Sequence, residues 1–591
     1  MNEVVSLPRK TILIDTIILT DLLLITLLWC IGTIIVNPVG EFPIIDDELY
    51  VPAVKTLLET GHYRPPEATM TFITNELWGA LFSLPVGASF TTLRLSTLCA
   101  SLLGLFGTYT LVRDIGQPRW ICWVATLTLA FNPAYYAMSH SFMTDVLFAV
   151  LCIWSAIFYA RSLRAGSDLQ IVLGTVIALA ATLSRQIGIA VPAAFAVAVI
   201  LRRGITWQTM LRAVIPVGIC SSALVGFYRF LAVSGRLPAT YDLYTNQAIS
   251  TFSHFQTLFT TPISNFYCTV VYLGLFLLPV LLCTIGGLYR SGTKGVYAVA
   301  VTTAAIVLVG AVVRTHIGSS DFMPLPEGHL LRPSGVGLLW LRGADHVPSL
   351  PEAFWVCVTT LAFIGAGLLI FQMSVWGVAV VRSRLQRSRI SETEIVTLFL
   401  LTCGIILAAP YIGIRTTDRY LISCLPMLAA GILGLSAGSP ETVKSGVGRP
   451  LCYVVSGLLA TCCIFTVVGT RDYLAWHRVS AQASRDLMEA NHALAESIDG
   501  GTEFDFLYPA PSSREEVLAR LDKVVRSRTQ YFFTQRIREQ FAVIIAMGWR
   551  PPSPQYLIAF APSPGYRVIR EYAYDNWMPH RVQKILVLQK E

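Results

Sequence analysis

Charge is what this sequence has least of. Only 14% of its 591 residues are Asp, Glu, Lys or Arg, while 54% are hydrophobic and the mean hydropathy is +0.60; soluble domains carry about 25% charged residues. That scarcity excludes a soluble enzyme. The deficit is uneven, because positions 471–591 hold 30 of the 80 charged residues, so the tail has an ordinary soluble composition and the front does not. The tail lacks cysteine entirely. The thirteen cysteines run from Cys30 to Cys463, almost all inside apolar stretches, which excludes a disulfide framework or a CxxC metal knuckle and leaves the adjacent Cys462 and Cys463 as packing. No dense basic and aromatic surface accompanies the net charge of +8, so nucleic acid is not a partner that the charge calls for. Fixed-period repeats and low-complexity linkers are also missing. The first apolar run has no small-residue cleavage pattern after it, so it reads as an uncleaved helix rather than a signal peptide.

What is present is a succession of apolar runs. A bilayer core takes about 20 apolar residues per helix. Thirteen spans are expected, near 11–36, 91–112, 120–138, 144–161, 169–185, 187–201, 207–232, 263–289, 295–313, 352–381, 395–413, 420–436 and 451–470. With the N-terminus inside, every second loop is cytoplasmic. Those loops hold Arg113 and Arg119, Arg161 and Arg164, Arg202 and Arg203, Arg290 and Lys294, the Arg382, Arg384, Arg387, Arg389 cluster, and Lys444 with Arg449, as the positive-inside rule requires. The longer loops, 37–90, 233–262 and 314–351, then share the extracytoplasmic face with the tail, and function is expected there. The expected organisation is a polytopic α-helical membrane domain over 1–470, with loop 37–90 carrying the site, and a small extracytoplasmic α+β domain over 471–591. In the tail, helices are expected over 473–497 and 513–526 and strands over 555–561, 566–574 and 584–589.

Three segments carry chemistry. Asp46-Asp47-Glu48 follows the first helix; carboxylates crowded at a membrane surface repel one another, and partial desolvation raises a pKa, which suits a general base or a cation site. The plainer alternative is an acidic outer loop. Leu49 to Thr60 fits a short amphipathic helix. Asn132-Pro133 leads through His140 to Asp145, at the start of the fourth span, either a helix-end residue or a second site carboxylate. Arg185, Arg415 and Arg419 lie at outer ends of spans, with Arg94, Arg314 and Arg332 as weaker members of the set. They run against the positive-inside bias, either snorkelling or paired with outer carboxylates, or clamping a phosphate. Asp15 and Asp21 in the first helix are expected to pair with basic residues on the cytoplasmic side. His62 and His140 could join a carboxylate around a divalent metal, though no spaced ligand set is present.

The ordered combination resembles the GT-C superfamily of membrane glycosyltransferases, in particular the group of the protein O-mannosyltransferases and the lipid A aminoarabinose transferase. Its parts are Asp47-Glu48 after the first helix, Leu93-Arg94-Leu95-Ser96, Asn132-Pro133 running to Phe142-Met143-Thr144-Asp145, Arg185 closing the fifth span, and Asp418-Arg419-Tyr420-Leu421 with Pro426. The match covers about residues 1–440. The tail, with Arg471 to Trp476 and Ile498 to Phe504, looks like a domain found on some bacterial relatives.

The resemblance implies a GT-C fold in a bacterial inner membrane. It further implies a polyprenyl-phosphate sugar donor, a lipid, glycan or protein acceptor, and inverting displacement at the extracytoplasmic face. Asp47, Glu48 and Asp145 would be the catalytic carboxylates. Arg185, Arg419, Arg415 and Tyr420 would hold the donor phosphate, with Asp46 and Arg94 in support. Two departures stand out: the extra Asp46 leaves open which carboxylate is the base, and the loop around Glu67 to Glu76 lacks the Pro-Pro-Leu continuation of close relatives. No cofactor is required, and metal dependence stays open. The alternatives are a transporter or flippase for lipid-linked sugars, and a non-catalytic subunit that holds such a lipid for a partner enzyme.

Overall fold

A computed structural model describes residues 9–66, 73–238, 241, 255–285, 292–317, 323, 330–385, 391–413, 417–437, 449–508 and 554–591. Arg415, Arg290, Arg387, Arg389, Lys444 and the tail helix expected over 513–526 lie outside the described residues. The helices in chain order are α1 (Arg9–Val36), α2 (Asp47–Thr60), α3 (Thr74–Ser83), α4 (Phe90–Asp114), α5 (Arg119–Ala130), α6 (Pro133–Ser139), α7 (Thr144–Ala165), α8 (Asp168–Thr182), α9 (Ala190–Arg203) and α10 (Trp207–Val233). They continue with α11 (Phe255–Phe276), α12 (Leu278–Cys283), α13 (Gly292–Ile317), α14 (Glu352–Leu385), α15 (Glu392–Gly413), α16 (Leu425–Ala437), α17 (Arg449–Ala490) and α18 (Thr502–Leu507).

Nine helices among the described residues are long and apolar enough to cross a membrane; shorter apolar stretches are Arg119–Ala130, Asp168–Thr182, Leu425–Leu435 and Pro262–Phe276, the last within the 22-residue α11. The run expected over 120–138 is broken at Asn132, whose Oδ1 accepts the N–H groups of Ala134 and Tyr135 at 3.0 and 3.1 Å and starts α6 with Pro133 in its first turn. The chain is a multi-pass helical membrane protein with a small sheet-bearing unit at its C-terminal end.

Helix packing rests on small residues where backbones meet. A Cβ added to Gly274 of α11 would lie 2.2 Å from the Ala366 nitrogen, and one added to Gly365 of α14 would lie 2.2 Å from the Gly274 oxygen. This is the close approach by which membrane helices gain dispersion contacts without a hydrophobic driving force.

Ion pairs stand at both ends of the bundle. At one end Arg119 pairs with Asp21 at 2.6 Å, Arg161 with Asp114 at 2.7 Å, Arg202 with Glu392 at 2.9 Å and Arg212 with Asp168 at 2.9 Å. The expected partner for Asp21 is therefore present. At the other end stand loop 37–90, the turn before α9 and the tail.

The tail does not begin at a backbone break. Its first expected helix is continuous with the last span, so that α17 is one rod of 42 residues. A short antiparallel pair, β1 (Leu331–Arg332) and β2 (Gly335–Val336), lies before α14, and beyond α17 the strands β3 (Ile498–Asp499), β4 (Tyr556–Ala559), β5 (Tyr566–Trp577) and β6 (His580–Lys590) form a sheet in the order β3-β4-β6-β5, with β3 parallel to β4 and the remaining pairs antiparallel. Ile585 to Leu588 of β6 are buried on both faces of the sheet. The Asp472 carboxylate of α17 accepts the N–H groups of Trp577 at 2.9 Å and Met578 at 2.7 Å, which pins the β5–β6 hairpin tip to the rod. Arg342, from the loop before α14, pairs with Asp499 at 2.7 Å, so this loop also braces the tail.

Candidate active site

Asp47 opens α2 inside the protein. Its carboxylate is fully buried, its Oδ1 accepts the Ile44 N–H at 2.6 Å, and its Oδ2 lies 3.6 Å from the Arg94 guanidinium, too far for a hydrogen bond. Burial outweighs the arginine and the backbone donors at Ile44 and Phe142, and pushes the Asp47 carboxyl up to about 7. Just before the acidic triplet, Ile45 sits at φ +63°. That region is strained for a β-branched residue by about 1–3 kcal/mol. The turn sends Asp46 toward Arg419 and Asp47 toward Arg94.

Arg94 does a different job from the one its place among the outer arginines allowed. Its guanidinium is wholly buried, donates to the carbonyls of Gly40 at 3.0 Å, Pro38 at 3.4 Å and Phe42, and lies 4.3 Å from the Phe42 ring centroid. Both of its Nη groups donate to the first loop, so it anchors that loop. Glu41 adds a second stitch by accepting the N–H groups of Phe90 and Thr91 at 3.0 and 3.2 Å, at the start of α4. Arg94→Met is expected to destabilise the fold by about 3–5 kcal/mol, because it orphans three buried carbonyls and the Asp47 charge. Thermal unfolding in detergent reads this loss, and hydrogen exchange should rise first at residues 38–47.

Glu48 turns to the tail. It is buried beside Asp46, Asp47 and Glu503 of α18, and burial together with those like charges holds its carboxyl well above the usual range. Glu503 is raised in the same way, by burial first and then by Asp46 and Asp47. Its Oε1 lies 3.9 Å from His477 Nε2 of α17, and the His477 ring stacks on Trp476 at 3.6 Å. Burial and these like charges favour the neutral acid at Glu48 over the carboxylate. Glu503 and His477 were not singled out in the sequence; their signal was a Gly-Gly-Thr-Glu turn in a tail with no assigned role.

The second half of the site is a pair of arginines around one tyrosine. Arg185 stands on the turn between α8 and α9, which Gly188 lets fold back tightly: a Cβ there would come within 2.5 Å of the Thr182 nitrogen. Arg185 Nη1 lies 2.9 Å from Asp145 Oδ1, near the start of α7, a contact of charges without hydrogen-bond alignment. Arg419 donates from both Nη1 and Nη2 to one oxygen of Asp46 at 3.1 Å. The Tyr420 ring centroid is 5.2 Å from the Arg185 guanidinium and 5.4 Å from that of Arg419, and Tyr411 stacks on the same ring at 4.9 Å. Two guanidiniums thus face one ring while their carboxylate partners occupy only part of their donor sets. Asp418 serves the fold: its oxygens accept the N–H groups of Leu330, Leu331 and Arg419 at 2.8–2.9 Å.

The histidines do not join the carboxylates around an ion. His62 is exposed at the end of α2 with Nδ1 2.7 Å from the Thr60 carbonyl oxygen, whereas His140 is buried against Tyr136 and Trp29 and burial lowers it to about 4. No three His, Cys, Asp or Glu side chains among the described residues are placed to hold a metal.

No protein-family model matches the chain, and no curated protein does. Among solved structures, ArnT from Cupriavidus metallidurans, in the apo state and bound to undecaprenyl phosphate, aligns at 12% identity over 95% and 97% of this chain and 97% of its own, with TM-scores of 0.36 and 0.37. The Archaeoglobus fulgidus oligosaccharyltransferase aligns at 13% identity over 88% of this chain and 61% of its own, with a TM-score of 0.41. The Saccharomyces cerevisiae protein O-mannosyltransferase Pmt1-Pmt2 complex bound to the sugar donor aligns over 40% of this chain and 34% of its own at 13% identity, with a TM-score of 0.25. At such identities and scores the chemistry rests on the side chains.

Proposed function

We propose that this protein is a membrane glycosyltransferase that moves a sugar from a polyprenyl-phosphate donor to an acceptor hydroxyl by inverting displacement, on the extracytoplasmic face. The observation that carries the proposal is a buried carboxylate, Asp47, next in sequence to Asp46, whose partner Arg419 shares the Tyr420 ring with Arg185. The lipid tail of the donor stays in the bilayer while its sugar reaches that end. Asp47 takes the proton of the acceptor hydroxyl as the oxygen bonds to C1 of the sugar. The bond from C1 to the phosphate oxygen breaks with its electron pair, and polyprenyl phosphate leaves with configuration at C1 inverted. Arg185 and Arg419 offset the charge that grows on the phosphate, and Asp145 holds Arg185 in place. Arg119, Arg161, Arg202 and Arg212 stand at the opposite end, which supports that end as the cytoplasmic one.

Incubating the purified protein with a panel of polyprenyl-phosphate sugars and acceptors tests the proposal through release of polyprenyl phosphate and formation of a glycosidic bond. Movement of labelled lipid across proteoliposomes without any new glycosidic bond would make the protein a flippase instead. The pH profile is a separate check. Because Asp47 acts unprotonated, kcat/KM should climb with pH and level off above an apparent pKa near 7. A profile already flat at pH 5 would move the base to a solvated carboxylate.

A further inference from the structure

Beside the Arg185 turn lies a set of buried polar groups that neither the fold nor the proposed reaction uses. Helix α3 is anchored there by Thr74, whose N–H donates to the Leu183 carbonyl at 3.1 Å and whose hydroxyl donates to the Ala180 carbonyl at 2.9 Å. The next two residues, Asn75 and Glu76, are 1% and 0% exposed. Both carboxyl oxygens of Glu76, the Asn75 Nδ2, the Ser184 hydroxyl and the Tyr63 hydroxyl are buried without a hydrogen-bond partner among the described residues. A cluster of orphaned polar atoms is costly to bury and native interiors contain few of them, so a cluster of this kind asks for a ligand.

The cluster adjoins the reaction centre. One turn along α3, a Cβ on Gly79 would come within 2.5 Å of Phe142 Cζ, and Phe142 meets Tyr50 edge to face at 6.5 Å. Tyr50 lies within the electrostatic reach of both Arg185 and Tyr63, and Tyr63 within that of Glu76. Ser184 immediately precedes Arg185. No cationic side chain among the described residues compensates Glu76, and burial raises its carboxyl to about 8, so at neutral pH it offers one O–H donor and one carbonyl acceptor. Hydroxyls, an amide and a neutral acid match an uncharged polyhydroxylated ring better than an ion.

We propose that Glu76, Asn75, Tyr63 and Ser184 form a subsite that reads hydroxyl groups of the sugar being transferred, with its phosphate held next door at Arg185. This rests on the glycosyltransferase reading and deepens it by naming specificity-determining residues. A site built to bond a substrate hydroxyl rejects the analogue lacking it, because its own buried groups are then left unpaired.

The test uses the full-length protein with polyprenyl-phosphate hexoses and their single-deoxy analogues, following release of polyprenyl phosphate. The wild type should discriminate against at least one deoxy donor by about 10²-fold or more. Glu76→Ala should lose about 10–100-fold in kcat/KM on the hydroxylated donor and little on that deoxy donor. Tyr63→Phe removes one oxygen and keeps the ring, so it should show the same selective loss on a smaller scale and serves where the alanine variant does not fold. Equal losses on both donors would reduce these residues to structural ones and overturn the subsite. So would a wild type that accepts only amino-sugar donors and loses them in Glu76→Gln, since the carboxylate would then serve a cation. A protein that releases polyprenyl phosphate from no donor at all overturns the glycosyltransferase reading itself.

Discussion

Asp47→Asn is expected to lower sugar transfer by about 10²–10⁴-fold, the range over which a positioned general base contributes, while polyprenyl-phosphate donor still binds. The amide has nearly the shape of the carboxylate and its oxygen can still accept the Ile44 N–H, held at 2.6 Å in the wild type. What it cannot do is take a proton. The stability of the variant separates this loss from damage to the fold. Burial raises the folded-state carboxyl to about 7 from the ordinary 3.8, so between those values the folded protein binds more protons than the unfolded chain, and stability falls as pH rises through that window. The asparagine variant lacks this penalty. It should unfold at a higher temperature than the wild type at pH 8 and close to the wild-type temperature at pH 4. A variant that transfers at the full rate would remove Asp47 from the mechanism. Its neighbours are poor replacements: burial among like charges disfavours the carboxylate form of Glu48, and Asp46 is bound by Arg419 through a single oxygen.

Much of this arrangement is legible in the sequence, wherever one local physical constraint settles the question. Bilayer thickness makes the apolar runs visible, and positive-inside bias makes the arginines at Arg185 and Arg419 stand out. The lengths of the runs are less legible, because a hydropathy window passes over Asn132-Pro133, where a capping side chain ends one helix and starts another. Composition changes at 471, yet the helix continues to Ala490 because its later residues find a sheet to pack on. Residue type alone could not separate the arginines by role. Arg94 and Arg185 are both outer arginines, and only the folded chain shows that carbonyls 52–56 positions away consume the first while a carboxylate leaves the second partly free. The meeting of Glu48 with Glu503 is further from view still, since it depends on how the tail lies over the first loop. Glu76 carries no local sign at all: an acidic residue in the first turn of a helix is ordinary, and its burial is a property of the fold.

Removing either guanidinium beside Tyr420 is expected to reduce kcat/KM by about 10²–10³-fold, the loss typical of a preorganised group that stabilises developing charge. The two arginines should differ in what else they lose. Asp145 is 1% exposed and Arg185 16%, so Arg185→Ala leaves a buried carboxylate uncompensated, which costs about 3–5 kcal/mol of stability as well as activity. Asp46 is 41% exposed and Arg419 18%. Water can replace that partner, so Arg419→Ala should change stability by less than about 1 kcal/mol while transfer still falls. The coupled effects at Arg185 come apart in the double variant Arg185→Met, Asp145→Asn, which removes both buried charges together. Its unfolding temperature should return toward the wild type and its activity should not. Arg185→Lys makes the complementary point, because it keeps the charge but loses the planar fork that matches a phosphate, and should bind polyprenyl phosphate more weakly than the wild type. If the double variant recovered transfer along with stability, the pair would be a strut between α7 and the α8–α9 turn, and the phosphate would have to be held elsewhere.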